Sequence, residues 1–133
     1  MADDLTYPLA AGPSADIAGA NGTPLSAITL AAVRDGSLTP ADVRIAPHTL
    51  ELQAGFAEAG GNAQLADNLR RGAELIAFND DELLALYEAL RPGRSSATEL
   101  DELATRLDAR GAARCATLVR EARAAYVRRA IVS

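Results

Sequence analysis

The stretch that decides the fold spans residues 68–96: Asn68-Leu-Arg-Arg-Gly-Ala-Glu-Leu-Ile-Ala-Phe-Asn-Asp-Asp-Glu-Leu-Leu-Ala-Leu-Tyr-Glu-Ala-Leu-Arg-Pro-Gly-Arg-Ser-Ser96. It holds the end of one helix, the whole of a second, its stop, and the cap of a third. Leu83, Leu84, Tyr87 and Leu90 recur at helical spacing and predict one apolar face that wants burying. Asn79 is placed to cap that helix. Glu82, three residues on, is the reciprocal half of a capping box, and Asp80 and Asp81 lie at the favourable end of the dipole. Pro92 ends the helix and Gly93 turns the chain. Ser96 with Glu99 then opens the next helix in the same way. Four arginines, Arg70, Arg71, Arg91 and Arg94, crowd the two ends of the stretch. They require partners, either Glu74 and Glu88 within the chain or a surface outside it.

A chain of 133 residues has room for a real core. Its hydrophobic content is 49%, yet aromatics make up only 4% and Trp is absent, so the core must be Ala and Leu, which suits close-packed helices. Every basic residue is Arg. The net charge of -5 and the lack of a basic patch argue against nucleic acid, whose affinity comes mainly from phosphate neutralisation. No apolar run approaches the roughly 20 residues that a membrane span needs. Met1-Ala-Asp-Asp lacks the basic and apolar regions of a signal peptide. One cysteine excludes an internal disulfide framework. A soluble cytoplasmic protein is the default expectation.

Residues 1–24 read as an extended or disordered arm rich in Gly, Pro, Ala, Ser and Asp, which cannot offset its ordering entropy alone. Leu5, Tyr7, Leu9 and Ile17 are its only anchors, with Tyr7-Pro-Leu9 the foremost contact. Residues 25–133 read as one helical domain. A short helix over 26–35 carries Ile28, Leu30 and Val33 and stops at Gly36. Thr39-Pro-Ala-Asp42 starts another short helix, with Thr at the cap and Pro in the first turn.

Pro47 opens the longest helical pattern, through Leu50, Leu52, Ala54, Phe56, Leu65 and Leu69 towards Leu75 and Ile76. Unbroken to Ala77 it would be about 45 Å long at ~1.5 Å per residue, against a radius of gyration of about 14 Å for a compact chain of this size. Either it breaks at Gly60-Gly61, where each Gly costs roughly 1 kcal/mol against Ala, or it overhangs. The expectation is a largely continuous central helix packed on a larger partner. Leu100, Leu103 and Leu107 then mark a helix over 97–109, Gly111 breaks the chain, and Leu118, Val119, Ala122 and Tyr126 mark a final helix. Nothing alternates long enough for a sheet. The fold class is all-α.

Chemistry is harder to find. His48 is the only histidine, with no local nucleophile. Cys115 sits among alanines and reads as a buried small hydrophobe. Zinc needs about four ligands where the chain offers one Cys and one His. Asp80, Asp81 and Glu82 are explained by a helix N-terminus without any cation. Gly60-Gly61 and Gly19-Ala-Asn-Gly22 lack the rest of a phosphate loop. The residues point to an interaction protein without an active site of its own. The candidate interface residues are Tyr7, Arg70, Arg71, Glu74, Tyr87, Arg91 and Arg94.

Several segments carry a resemblance. They are Ile28-Thr-Leu30 with Val33 and Gly36, then Thr39-Pro-Ala-Asp-Val-Arg-Ile45, Pro47 and Thr49-Leu-Glu-Leu-Gln-Ala54. Asn68, Arg71, Ala73-Glu-Leu75, Ala77, Asp80, Leu86, Tyr87, Ala89-Leu-Arg-Pro92, Arg94-Ser95 and Glu99-Leu100 follow. Val119-Arg-Glu-Ala122, Tyr126 and Tyr7-Pro-Leu9 also fit. In this order, across nearly the whole chain, they resemble the small (gamma) subunit of adenosylcobalamin-dependent diol and glycerol dehydratases.

The resemblance implies a helical subunit docked on a large (alpha) barrel subunit and joined by a medium (beta) subunit, commonly as a dimer of heterotrimers. It further implies a holoenzyme that uses adenosylcobalamin to start a radical, converting a 1,2-diol to an aldehyde by hydroxyl migration and loss of water. Substrate, metal and cobalamin belong to the other subunits in that family, so no catalytic, cofactor or metal residue carries over to this chain. The sequence departs from the family at Gly60 and Gly61, where polar residues are usual, and in having no Lys. Some members have a longer N-terminal extension tied to bacterial microcompartments. With Tyr7 so near the first residue, the cytoplasm is expected and a microcompartment is the alternative.

A free-standing helical adaptor is the competing reading, recognisable by a cooperative melt of its own. A small hydrolase built on His48 and Cys115 is a third, and would need those residues within hydrogen-bond reach.

Overall fold

The computed structural model describes residues 6–12 and 17–133. Leu5 and the remainder of 1–5 and 13–16, which belong to the expected arm, lie outside the described residues. The architecture is all-α, with six α-helices among the described residues: α1 Leu30–Arg34, α2 Pro47–Ala59, α3 Ala63–Leu75, α4 Asp80–Leu90, α5 Ala97–Ala109 and α6 Ala113–Arg128. Two compact units, Met1–Ala73 and Glu74–Ser133, divide the chain within the last turn of α3.

In the first unit the described part of the arm is held by backbone bonds, by side-chain bonds to Asp42 and by two buried anchors, Leu9 and Ile17. Tyr7-Pro8 is a cis peptide leading into a 3-10 turn, Leu9–Ala11, with Leu9 buried. Gly19 to Gly22 form a β-turn closed by the Gly22 N–H on the Gly19 carbonyl at 2.9 Å, with Gly22 at φ +89°. Isolated bridges pair Ala18 with Pro24 and Gly19 with Ile45. Gly19 is required by closeness, since a Cβ there would stand 2.2 Å from the Asp42 carbonyl oxygen. Thr29 caps α1 by accepting from the Ala32 N–H at 3.1 Å.

Asp42 ties these pieces together. Its Oδ1 accepts from Asn21 Nδ2 and Thr23 Oγ1, each at 2.7 Å, and its Oδ2 accepts from the Thr39 N–H and hydroxyl, each at 2.6 Å. The Thr39 hydroxyl first, then the Thr23 hydroxyl, the Thr39 amide and the Asn21 amide, hold this carboxyl well below its ordinary value of 3.8. A carboxyl depressed in the folded state adds stability above its unfolded pKa and loses it as pH falls towards the folded one. The clasp is therefore expected to loosen progressively below about pH 4. Amide exchange at Ala20, whose N–H donates to the Arg44 carbonyl at 2.7 Å, reads this directly. Protection that stays constant as the pH drops, after correction for intrinsic exchange, would contradict it.

The expected continuous central helix is corrected: it is two helices. α2 ends at Ala59, and Gly60, Gly61 and Asn62 separate it from α3. Gly61 adopts φ +83°, its N–H donates to the Glu58 carbonyl at 3.0 Å, and the Asn62 N–H donates to the Ala57 carbonyl at 2.8 Å. These two bonds make a Schellman stop with glycine at the left-handed position. The Asn62 side chain then accepts from the Leu65 N–H at 3.0 Å and opens α3. A stop followed at once by a cap outweighs the apolar periodicity that runs across it.

The second unit has a proper core. Phe78, Leu100, Leu103, Ala104, Leu107, Ala112, Cys115, Ala116 and Val119 are buried together, with Leu75, Leu83, Leu86, Ala89, Leu90 and Tyr126 packed against them. Both expected capping boxes form: Asn79 with Glu82 at 2.9 and 2.8 Å, and Ser96 with Glu99 at 3.2 and 2.7 Å. α5 and α6 pack closely because Ala104, Ala112 and Ala116 keep the seam narrow. Between them the Gly111 N–H bonds the Asp108 carbonyl at 3.0 Å and the Ala112 N–H bonds Leu107 at 2.9 Å, with Gly111 at φ +78°.

The C-terminal segment closes this unit. Tyr126 Oη donates to the Leu90 carbonyl at 2.6 Å and Ser95 Oγ to the Ala89 carbonyl at 2.8 Å. The Gly93 N–H reaches the Ile131 carbonyl at 2.7 Å, and the Ser133 N–H reaches Ser95 at 3.0 Å. The carbonyls of Ala89 and Leu90 at the end of α4 are thus satisfied by two side chains, and the loop that follows is tied by backbone bonds to the C-terminal segment.

Candidate functional site

On α4 the four apolar residues expected on one face separate into two. Leu83 and Leu90, with Leu86, turn to the core, whereas Leu84 is 65% exposed and Tyr87 68% exposed. At 100° per residue, positions 83, 86 and 90 share one stripe, and 84 and 87 fall beside it with 91. The single-face expectation is corrected accordingly: the helix is apolar over a wider arc than its own core can cover.

Arg91 follows α4 and is extended at ψ 136°, as a residue before proline should be. Arg91 Nη1 lies 3.0 Å from Glu88 Oε2 and Arg94 Nε lies 3.2 Å from Glu88 Oε1. One carboxylate thus serves two guanidiniums. Tyr87, Arg91 and Arg94 stand together at the C-terminal end of α4, all exposed. Aromatic and arginine side chains of this kind dominate the energetics of interfaces.

The other candidates are placed differently. Tyr7 is 70% exposed, its ring 5.6 Å from that of Phe56 and tilted by 52°, at a groove lined by Gln53, Ala57, Leu65 and Leu69. Arg70 donates to Glu58 at 2.7 Å and has Glu51 at 3.6 Å; the Glu58 bond is the main cause holding its guanidinium above the ordinary value. Arg71 bonds Asn68.

Glu74 does something the sequence did not announce. Its Oε1 accepts from the Arg114 N–H and its Oε2 from the Cys115 N–H, both at 2.9 Å. Ala112 is the N-cap of α6 and has no side chain to offer, so a carboxylate forty residues earlier caps that helix from outside. Arg110 was likewise missed. It donates to Glu82 at 2.7 Å and to the Ala77 carbonyl at 3.2 Å while its guanidinium stacks 4.2 Å from the Phe78 ring centroid. The Arg110 bond is the first cause holding the Glu82 carboxyl below its ordinary value. It fastens the end of α5 to the start of α4 beside a groove floored by Leu86, Ala89, Leu103 and Leu107.

Further exposed apolar side chains lie in the first unit: Leu30 at 66%, Val33 at 58% and Val43 at 55%. Leu30 and Val33 belong to the short helix expected over 26–35, which the structure narrows to α1. α1 has only five residues, and none of them is buried. His48 is exposed in the first turn of α2, and Cys115 is buried in the second core. Among the described residues no three His, Cys, Asp or Glu side chains converge as a metal site requires, and no helix is long and apolar enough to cross a membrane. What the arrangement offers, among the described residues, is contact surface.

Comparison with known proteins agrees with this arrangement. The family described as dehydratase small subunit matches residues 2–133. A propanediol dehydratase small subunit of Citrobacter freundii is 44% identical over 124 residues, covering 92% of this chain and 72% of that protein. The protein of the same name from Salmonella typhimurium strain LT2 is similar to the same extent. This chain therefore belongs to the dehydratase small subunit family.

Proposed function

We propose that this chain is the non-catalytic small subunit of a coenzyme B12-dependent diol dehydratase and that it works in the cytoplasm. In this reading it docks on a large subunit beside a medium one, in a dimer of heterotrimers. It stabilises the complex that converts 1,2-diols such as propane-1,2-diol or glycerol to aldehydes by radical dehydration. The supporting observation is family membership joined to the uncovered large side chains Leu30, Val33, Val43, Leu84 and Tyr87. Burying one such side chain fully contributes about 1.5–3 kcal/mol. Covering this set is therefore of the same order as the ~4–15 kcal/mol that association costs. The contact candidates in this reading are Tyr87, Arg91 and Arg94 on the second unit, and Tyr7, Arg70 and Arg71 on the first. Glu74 serves the interface through α6 rather than by touching a partner.

Adenosylcobalamin belongs to the assembled enzyme in this reading. In this reading no residue of this chain holds it, which is supported by the one imidazole, His48, standing exposed at a helix start, and by a mostly apolar groove in which Glu82 and Arg110 are paired with each other.

The test is co-expression with large and medium dehydratase subunits, followed by pull-down through this chain and size-exclusion chromatography. A stoichiometric three-chain complex that makes aldehyde from propane-1,2-diol only with adenosylcobalamin is expected. Full activity from the other two subunits alone would sink the reading, and a lone cooperative peak would favour the free-standing adaptor. Within the complex, Arg91→Ala or Arg94→Ala is expected to weaken assembly while turnover per assembled complex stays nearly unchanged. Lost turnover in fully assembled complex would contradict that.

A further inference from the structure

Four asparagines occur in the 133 residues, followed by Gly22, Ala63, Leu69 and Asp80. Only Asn21 precedes a glycine. With no side chain on the next residue, nothing shields the Asn21 side-chain carbonyl from the backbone nitrogen that follows, and both residues are exposed. Gly22 stands at φ +89° with open space where a Cβ would be.

The folded turn opposes that attack in two ways. The Gly22 N–H is engaged by the Gly19 carbonyl at 2.9 Å. The Asn21 carboxamide is held at both ends: Nδ2 donates to Asp42 Oδ1 at 2.7 Å, and Oδ1 accepts from the Thr23 N–H at 3.3 Å, with the Thr23 hydroxyl, whose one proton goes to Asp42 Oδ1 at 2.7 Å, lying 3.0 Å away. The clasp built on Asp42 is therefore also a lock on the one Asn-Gly pair in the chain.

We propose that Asn21-Gly22 is a site of spontaneous deamidation guarded by the Asp42 clasp, and that the product carboxylate, facing Asp42, prevents the clasp from closing again. The Gly22 backbone nitrogen gives up its proton and bonds to Asn21 Cγ, closing a five-membered imide. The Cγ–Nδ2 bond breaks, and the amide nitrogen leaves as ammonia, carrying that proton. Water then adds across one of the two imide C–N bonds, giving an aspartyl or isoaspartyl residue and restoring the Gly22 N–H. The balance is amide plus water to acid plus ammonia, with no change of oxidation state.

The consequence follows from the donors. Asn21 contributes the one side-chain N–H that Asp42 Oδ1 receives. A carboxylate in its place is acceptor-only, and two like charges at that separation repel. The isoaspartyl product also lengthens the backbone by one methylene inside the turn that Gly22 N–H closes. The modification is one-way. It releases the segment from Ile17 to Ile45, which carries the exposed Leu30, Val33 and Val43.

The experiment incubates the full chain at mildly alkaline pH and follows the N-terminal tryptic peptide by mass spectrometry as NH2 is exchanged for OH. Conversion is expected to be several-fold faster in denaturant than in the folded chain, and several-fold faster in Thr23→Val than in the wild type. Equal rates in all three, or no conversion in any, would overturn the proposal. Independently, Asn21→Asp is expected to raise the rate of limited proteolysis within residues 17–45 several-fold. Combining Asn21→Asp with Asp42→Asn, which returns one donor and one acceptor to the pair, is expected to lower it again. An Asn21→Asp chain as resistant as the wild type would overturn the second half of the proposal.

Discussion

Leu107→Ala is expected to destabilise the second unit by about 2–5 kcal/mol. Leu107 is 2% exposed in the last turn of α5, in a core shared with Phe78, Leu103 and Val119. Its buried neighbours Ala104, Ala112 and Ala116 are too short to swing into the space left by an isobutyl group, so the site collapses poorly and the cavity term stays large. Domain stabilities are typically about 5–15 kcal/mol, so this single change removes a large share. A circular dichroism melt should show a midpoint at least about 10 °C lower. Leu107→Met, which conserves volume, should cost less than about 1.5 kcal/mol. A Leu107→Ala loss as small as that of Leu107→Met would mean that the core is not packed as described.

Glu74→Ala is expected to cost about 1–2 kcal/mol, the size of a lost helix cap, and to fray α6 from its first turn. Two amides, those of Arg114 and Cys115, lose their acceptor at once, and Ala112 has no side chain with which to replace it. Glu74→Gln keeps one oxygen but loses the charge that favours a helix N-terminus, and should fall between the wild type and Glu74→Ala. Amide exchange at Arg114 and Cys115 separates this from a surface ion pair. Their protection should drop in Glu74→Ala, and should hold in Glu88→Ala, which removes only the exposed partner of Arg91 and Arg94. Unchanged protection at both amides in Glu74→Ala would show that α6 does not depend on this carboxylate.

Local chemistry was the legible part. Asn79 with Glu82, Ser96 with Glu99, Pro92 before Gly93 and the turn at Gly111 are each written within a few residues, and each forms where its spacing places it. The all-α class follows from the same signals. The resemblance resting on ordered segments such as Ala89-Leu-Arg-Pro92 led to the family that the comparisons show. Of the interface candidates, Tyr87, Arg91 and Arg94 are exposed together at the end of α4, where the sequence gathers large or charged residues beyond the helix's own needs.

What failed to show was non-local or a matter of degree. The break at Gly60-Gly61 was visible as a possibility. Deciding it required knowing that Gly61 takes a left-handed φ and that Asn62 restarts the helix, a choice between nearly balanced local energies. The division of α4's apolar residues depends on where α5 and α6 lie, since periodicity assigns a direction to a side chain but no neighbour.

The sequence by itself determined the helices over 80–90 and 97–109, their caps and stops, and the surplus of arginines at the ends of the 68–96 stretch, because each of these depends on residues within about two turns of one another. Only the tertiary structure decided that Glu74 caps α6, that Asp42 clasps the turn at Asn21, and that Leu84 and Tyr87 stay uncovered. Hydrogen-bond partners 19 to 41 positions apart are joined by the packing of whole elements, and no spacing along the chain records which elements meet.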